Sequence, residues 1–218
     1  MSWDPRTSLS PLQLEQLQQF GEALARVNRK INLVSRTSVA HLEERHVLHA
    51  LALTRRRFPA GTTVVDWGAG GGLPSIPLAI AFPDVFFVAV DAVGKKMQAV
   101  RMMAREIGLT NVEAWHGRAE AWDGTATHSV SRATAQLATL WQWHERIARA
   151  AEPLTDEFWA PGLITLKGGD LNQEVQDLQT RYPALHVERE DLFGMLKRDY
   201  FAEKGILTVV DSSQVGNK

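Results

Sequence analysis

A glycine-rich turn follows a short apolar stretch early in the chain, where residues 64–74 read VVDWGAGGGLP. Glycines at positions 68, 70 and 72 allow left-handed backbone and let a ligand approach where a side chain would collide. A helix is predicted to begin near residue 73, and the free amides at a helix N-terminus favour a phosphate or a carboxylate. Gly68, Gly70, Gly72 and Leu73 are therefore candidate cofactor-binding residues.

A carboxylate, Asp91, ends the next apolar stretch, FFVAVD. It lies about 20 residues beyond the turn, where an acid can accept hydrogen bonds from both hydroxyls of a ribose. The dinucleotide-binding fingerprint requires a third glycine at the position of Leu73, whereas the spacing here is Asp-x-Gly-x-Gly-x-Gly from Asp66. Ala119 and Glu120 follow the third predicted strand, where they would border an adenine ring. Together these features favour S-adenosylmethionine as the cofactor, with S-adenosylhomocysteine as the product. NAD remains the alternative cofactor.

The sequence also predicts the helices and strands that hold these residues. Ser10, Pro11 and Gln13 form a capping-box pattern ahead of a helix at 11–28. A second amphipathic helix is predicted at 38–57, with an inner face formed by Val39, Leu42, Val47, Leu51 and Phe58. From residue 61, short β-branched runs alternate with helical periodicity, which is typical of a doubly wound, Rossmann-like α/β sheet. Seven strands are predicted at 62–65, 85–90, 112–116, 128–131, 163–166, 185–188 and 206–210, the last returning antiparallel, with helices at 77–82, 95–107, 136–150 and 171–181.

Charge divides the chain into two parts. Residues 1–57 carry nine basic and five acidic side chains, and the remainder carries a net charge of −5. A basic segment favours a polyanionic partner, although interspersed charge is equally typical of a solvated helical face. We predict a helical, basic N-terminal extension at 1–60 and a second domain at 61–218.

Several classes of protein are excluded by what the sequence lacks. The chain has no cysteine, which rules out disulfides, thiolate metal sites and cysteine nucleophiles. Its seven histidines show no metal-binding spacing, so no metal is predicted. The longest apolar stretch is too short to span a bilayer, and the first residues lack a signal-peptide pattern. We expect a soluble, cytoplasmic monomer.

Three segments resemble the guanine-N7 methyltransferases of small-subunit ribosomal RNA, also called glucose-inhibited division protein B. They are RKINLVSR with Arg45-His46, the stretch VVDWGAGGGLPSIPLAIAFPDVFFVAVDAVGKK, and SRATAQLATLWQW with Leu166-Lys167-Gly168. The resemblance implies a seven-stranded methyltransferase fold and methyl transfer to nitrogen-7 of a guanine in 16S ribosomal RNA or an assembling subunit. By position it also implies that the cofactor contacts are Gly68, Leu73, Asp91, Ala119, Glu120 and Arg132.

This chain departs from the family pattern at a few positions. His49 and Ala50 stand where Asp-Ser is expected after Arg-His, Trp67 is large for its place in the turn, and Thr134 replaces an apolar residue. These departures concern the docking of RNA more than the cofactor site.

Nitrogen-7 of guanine carries an in-plane lone pair and no proton, so in-line displacement needs orientation and electrostatic fit but no general base. Methylation at pyrimidine carbon-5 by the covalent route would need a cysteine. Arg132, at the end of the fourth strand, is the catalytic candidate, because its planar guanidinium can clamp the cofactor carboxylate or the exocyclic oxygen of guanine. A structural pair with Glu120 or Asp91 is the alternative. The candidate phosphate contacts are Arg29, Lys30, Arg36, Arg45, Arg55, Arg56, Arg57, Lys95, Lys96 and Lys167, although Lys95 and Lys96 also fit an ordinary exposed helical turn.

Overall fold

The computed structural model describes residues 3–132, 134–149, 151 and 155–212, without the side chains of residues 36 and 37.

The N-terminal helix begins where the sequence predicts. Helix α1 spans Pro11–Asn28. Gln13 N donates to Ser10 Oγ and Ser10 N donates to Gln13 Oε1, so both bonds of the predicted capping box form.

The prediction of one continuous amphipathic helix at 38–57 is wrong. The chain instead forms a 3-10 segment at Arg36–His41, a π-helix at Glu43–Leu48, a short helix α2 at His49–Leu51 and a 3-10 turn at Ala52–Arg55. Residues 46–53 are all buried, so this stretch is enclosed on more than one side and its winding follows tertiary packing rather than a one-sided pattern. The predicted inner face is retained, because Val47, Leu51 and Phe58 lie in the core and Val39 and Leu42 pack against it.

A seven-stranded sheet forms in the described part of the chain, in the order β3-β2-β1-β4-β5-β7-β6. The strands are β1 Thr63–Trp67, β2 Phe86–Asp91, β3 Val112–His116, β4 His128–Arg132, β5 Gly162–Gly168, β6 Leu185–Asp191 and β7 Lys204–Asp211. The pairs among β1 to β5 are parallel, and β7 is antiparallel to both β5 and β6. The predicted doubly wound α/β fold with an antiparallel last strand is therefore confirmed.

Helices cover both faces of this sheet. They are α3 Ser75–Ala81, α4 Gly94–Glu106, α5 Leu137–Ile147, α6 Asn172–Arg181 and α7 Leu192–Leu196. Neighbouring residues Val64 and Val65 on β1 belong to different apolar clusters, as expected for side chains that alternate across a strand. The order of strands reverses between β1 and β4, so the carboxyl ends of these strands mark the position where open α/β sheets bind ligands.

One apolar cluster joins α1 to the helical layer of the sheet. Phe20 and Leu24 of α1 pack with Ile76 and Ile80 of α3 and with Met103 of α4. The division at residue 60 stays a prediction. The contacts hold α1 and the connector that follows it close to the glycine-rich turn.

Candidate active site at the carboxyl end of the sheet

The glycine-rich turn leaves β1 with a backbone that other residues rarely adopt. Gly68, Gly70 and Gly72 have φ angles of 72°, 57° and 81°. A Cβ atom on Gly68 would overlap the side chain of Thr134, and one on Gly72 would lie 2.6 Å from Ile76 Cδ1. Backbone conformation and packing thus both require glycine at these two positions.

Hydrogen bonds attach this turn to the end of β2. The Gly68 and Ala69 amides donate to the Val90 carbonyl at 2.9 and 3.0 Å. The Gly70 amide donates to Asp91 Oδ2 at 3.0 Å, and Val93 N donates to Asp91 Oδ1 at 2.8 Å. Asp91 is therefore next to the turn, as the sequence predicts, and its carboxylate also orders the backbone there.

A cavity of about 210 Å³ opens beside the turn. It is lined by Gly68, Val90, Asp91, Ala92, Gly117, Arg118, Ala119, Glu120, Thr134 and Trp143. Four predicted cofactor contacts, Gly68, Asp91, Ala119 and Glu120, thus border one space. Sites that enclose a whole drug-sized ligand usually measure about 300–1,000 Å³, so a molecule the size of S-adenosylmethionine would extend beyond this cavity. An acid at the end of a strand fits the ribose hydroxyls of S-adenosylmethionine. Glycines, which have no Cβ atom, allow the protein backbone to approach the rest of the molecule closely.

Trp143 is a cavity residue that the sequence did not identify. It lies on α5, and its Nε1 donates to Glu120 Oε1 at 3.0 Å. The Glu120 carboxylate is thereby held at the mouth of the cavity by a residue of the next crossover. No local motif points to this tryptophan, because its place depends on how α5 packs over β4 and β5.

The side chain of Asp66 binds the helix N-terminus at which the sequence predicted a ligand. It is fully buried, and its Oδ2 accepts a 3.0 Å hydrogen bond from Ser75 N, the first amide of α3. Burial raises the pKa of Asp66 to about 7, and the hydrogen bond from Ser75 and the charge of Arg132 oppose that rise. The amide of Leu73 donates to the Ala69 carbonyl. The Ser75 amide at the start of α3 and the Leu73 amide two residues before it are therefore already bonded within the protein.

Asn28 fixes the connector between α1 and the 3-10 segment. Its buried Oδ1 accepts hydrogen bonds from Leu33 N at 2.7 Å and Val34 N at 2.9 Å. A Cβ atom on Gly71 would lie 3.1 Å from Leu33 Cβ, so the connector passes directly over the glycine-rich turn. The exposed Arg29 at the end of α1 therefore lies on an element next to the turn.

Arg132 ends β4, and its guanidinium reaches the π-helix. Arg132 Nη1 donates to His46 Nδ1 at 2.8 Å and more weakly to the Arg45 carbonyl at 3.4 Å. Its Nε is buried with no hydrogen-bond partner among the described residues. Burial lowers the pKa of Arg132, and burial with the charges of Arg132 and Arg45 lowers the pKa of His46 to about 4. The guanidinium thus bonds to a neutral imidazole, while Glu120 and Asp91 bond elsewhere.

The predicted RNA contacts differ in their surroundings. Arg29, Lys30 and Lys95 are exposed, and Lys96 Nζ lies 3.9 Å from Asp91 Oδ2. These four cations lie on elements next to the turn. The side chain of Arg36 lies outside the described part of the structure.

The other predicted RNA contacts already have partners within the protein. Arg56 bonds to Glu190 and Arg55 Nε lies 3.9 Å from the same carboxylate. Lys167 Nζ donates to Glu174 Oε1 at 2.5 Å and to the Ala135 carbonyl at 2.7 Å. The guanidinium groups of Arg45 and Arg57 lie over Tyr200 and Phe158, at 5.2 and 5.7 Å from the ring centroids. Arg55 and Arg57 are nevertheless exposed, so it is the more buried Arg45, Arg56 and Lys167 that would have to rearrange to bind a phosphate.

Two other findings limit the kinds of site on this chain. Within residues 3–132, 134–149, 151 and 155–212, no three His, Asp or Glu side chains are arranged to bind a metal ion. Among the helices in those ranges, none combines the length and the apolar character needed to cross a membrane.

A family model described as rRNA small subunit methyltransferase G matches residues 13–197. The chain belongs to this family. A ribosomal RNA small subunit methyltransferase G from Salinibacter ruber is 50% identical over 210 residues, covering 96% of this chain and 98% of that protein. One from Bacteroides fragilis is 40% identical over 199 residues, covering 89% and 93%. The resemblance found in the sequence is confirmed.

Solved structures show the same fold at low sequence identity. Ribosomal protein L11 methylase from Lactobacillus delbrueckii subsp. bulgaricus superposes with a TM-score of 0.55 at 14% identity, over 76% of this chain and 78% of that one. Magnesium protoporphyrin IX methyltransferase from Synechocystis, solved with bound SAM, gives 0.52 at 16% identity, over 70% and 71%. This member of the methyltransferase G family therefore has the general methyltransferase fold.

Proposed function

We propose that this chain transfers a methyl group from S-adenosylmethionine to nitrogen-7 of a guanine in small-subunit ribosomal RNA. The observation that carries the proposal is one cavity, at the point where the strand order reverses, bordered by the glycine-rich turn and by Asp91. Membership of an rRNA methyltransferase family supports the substrate class. A cytoplasmic location follows from that substrate.

The cofactor would be held by backbone and by two carboxylates. Gly68 and Gly70 let the chain approach it closely, Asp91 accepts from its ribose hydroxyls, and Ala119 and Glu120 border its adenine. When bound, the cofactor supplies an electrophilic methyl group. These residues orient that group and exclude water from one side of it.

The acceptor needs no proton removed. Nitrogen-7 attacks with a lone pair, so no residue has to act as a base, and the neutral imidazole of His46 is used instead as a hydrogen-bond acceptor for Arg132. We assign Arg132 to the exocyclic oxygen of the guanine, since its planar donors match that oxygen and its Nε has no partner among the residues that the structure describes. Such a contact orients the base in its own plane.

The target guanine must be reachable. In an A-form helix nitrogen-7 faces a deep, narrow groove, so we infer an unpaired or extruded guanine. Arg29, Lys30 and Lys95 are exposed on elements next to the turn and would bind the phosphates on either side of the guanine. Binding should then weaken as salt concentration rises.

The test is transfer of labelled methyl from S-adenosylmethionine to purified small-subunit ribosomal RNA, with assembling subunits as a second substrate. Digestion to nucleosides and mass spectrometry should show 7-methylguanosine, and borohydride with aniline should cleave the RNA at that site. Label in another nucleoside would assign a different acceptor atom. Label in protein alone, or calorimetric binding of NAD without binding of S-adenosylmethionine, would refute the proposal.

A further inference from the structure

A continuous chain of hydrogen bonds runs from the end of β4 to the N-terminal connector. Arg132 Nη1 bonds to His46 Nδ1 at 2.8 Å, and His46 Nε2 bonds to Ser38 Oγ at 2.8 Å. Ser38 Oγ donates to the Ser35 carbonyl at 2.8 Å. His46 and Ser38 are both buried, so water does not compete strongly with these bonds.

The chemistry of the groups fixes the direction of each bond. A guanidinium has only donors, so His46 Nδ1 must accept. A neutral imidazole that accepts at Nδ1 carries its proton at Nε2, and it therefore donates to Ser38. The Ser38 hydroxyl accepts the hydrogen bond from His46 Nε2 and donates its own proton to the Ser35 carbonyl. The donor and the acceptor of each of these bonds are therefore defined.

Among the residues that the structure describes, no carboxylate forms a hydrogen bond with the guanidinium of Arg132. The residue three positions further along, His49, stands where an acid is expected, and both of its ring nitrogens are buried without partners among the described residues. Asp66 affects Arg132 through its charge, but its Oδ2 accepts a hydrogen bond from Ser75 N and its Oδ1 has no hydrogen-bond partner among the described residues. Within the described structure, His46 is the side chain that bonds directly to Arg132.

The backbone that presents His46 is unusual. His46 lies within the π-helix Glu43–Leu48, and π-helical turns in proteins are rare and concentrate at functional sites. An α-helix over the same residues would change the angular position of His46 relative to β4. The winding of this segment and the orientation of Arg132 are therefore linked.

We propose that His46 is a positioning residue for methyl transfer: its neutral imidazole aims the guanidinium of Arg132 at the acceptor base, and Ser38 holds the imidazole. This inference rests on the proposed function, because Arg132 is taken to contact the base. His46 itself touches neither cofactor nor RNA.

A double-mutant cycle tests whether His46 acts through Arg132. Single-turnover methyl transfer into small-subunit rRNA, with total label counted, is measured for His46→Leu, Arg132→Ala and the double variant. We expect His46→Leu to lower the rate constant about 10–100-fold in the wild-type background and less than about twofold in the Arg132→Ala background. Equal losses in both backgrounds would overturn the proposal, because a general structural defect is additive.

A conservative variant gives a second readout. His46→Asn places an amide oxygen close to the position of the imidazole Nδ1, so it keeps an acceptor for Arg132 and should stay within about fivefold of wild type. Ser38→Ala should lower the rate only a few-fold, because it loosens the imidazole without removing it. A His46→Asn variant as slow as His46→Leu would overturn the proposal.

Two controls separate stability and cofactor binding from positioning. His144→Leu removes another buried imidazole, one bonded through Nδ1 to Ser129 Oγ, and should lose stability while retaining the rate within about threefold. The affinity of His46→Leu for S-adenosylmethionine should be unchanged, and a parallel loss of that affinity would overturn the assignment to the base. Label in a nucleoside other than 7-methylguanosine would correct only the proposed acceptor atom, whereas wild-type protein that transfers no methyl group to rRNA would refute both proposals.

Discussion

Gly68 is the position where a single methyl group should separate cofactor binding from stability. Gly68→Ala adds a Cβ atom at a φ of 72°, and that atom would overlap the side chain of Thr134. Both residues line the cavity beside the turn, so relief of the overlap must displace one of them into that space.

Two free energies contribute to the expected effect. An L residue in left-handed backbone costs about 1–2 kcal/mol, and overpacking of a well-packed site costs typically about 1–3 kcal/mol. The first affects folding whether or not the cofactor is bound. The second comes from crowding that narrows the cavity and therefore opposes binding of the cofactor. Since about 1.4 kcal/mol corresponds to a tenfold change in Kd, we expect affinity for S-adenosylmethionine to fall about tenfold or more.

Gly108 provides the matched control. Its φ is 74°, and a Cβ atom there would have no heavy atom of the described residues within 4 Å. Gly108→Ala should therefore lose the same backbone contribution, about 1–2 kcal/mol of unfolding free energy, and bind the cofactor normally. Calorimetric titration with S-adenosylmethionine and denaturant unfolding measure the two quantities. If Gly68→Ala binds within twofold of Gly108→Ala, this cavity does not hold the cofactor.

Three other changes separate binding, packing and protonation. Asp91→Ala should raise the Kd for S-adenosylmethionine about 100-fold by calorimetry, because it removes a charged acceptor for the ribose hydroxyls; a loss below fivefold would contradict this role. Asn28→Leu leaves two buried amides of the connector unbonded and should lower the unfolding free energy by about 2–4 kcal/mol, whereas Asn28→Asp, which keeps both acceptors, should lose less. Burial lowers the pKa of His128 to about 4 and that of His144 to about 3. Because the unfolded chain then binds more protons below about pH 6.5, stability should fall as the pH drops, by up to about 2 kcal/mol for each histidine near pH 5. Asp66, whose pKa burial raises to about 7, acts in the opposite direction, and His144→Gln should flatten the measured slope.

Local patterns were enough to predict the geometry of the turn and of the strand end at which we propose that the cofactor binds. The positive φ angles of the turn, the acid at the end of β2 and the capping box at Ser10 each depend on a few consecutive residues, and all three are found in the structure. All seven strands also form close to their predicted bounds, and the buried parallel strands among them, such as β1 and β2, read as short apolar runs.

The second segment could not be predicted in the same way. Its apolar residues repeat at helical spacing, but the structure divides it into 3-10, π and α pieces. Periodicity reports which residues are buried and not how the backbone winds when neighbours surround it. The placement of Trp143 beside Glu120 and the bonds of Asn28 likewise depend on contacts that no short pattern encodes.

The proposed acceptor side of the site is assembled from distant parts of the chain. Arg132 and His46 are 86 positions apart, and their bond exists only because the N-terminal segment packs against the end of β4. A fold alone does not determine what an enzyme acts on, and here the sheet and the turn account for the proposed cofactor contacts but not for the proposed contact with the base. We therefore expect substitutions in residues 35–49 to change activity on RNA more than cofactor affinity. Substitutions in the glycine-rich turn should have the reverse effect, so the ratio of the two losses locates a residue on one side of the site or the other.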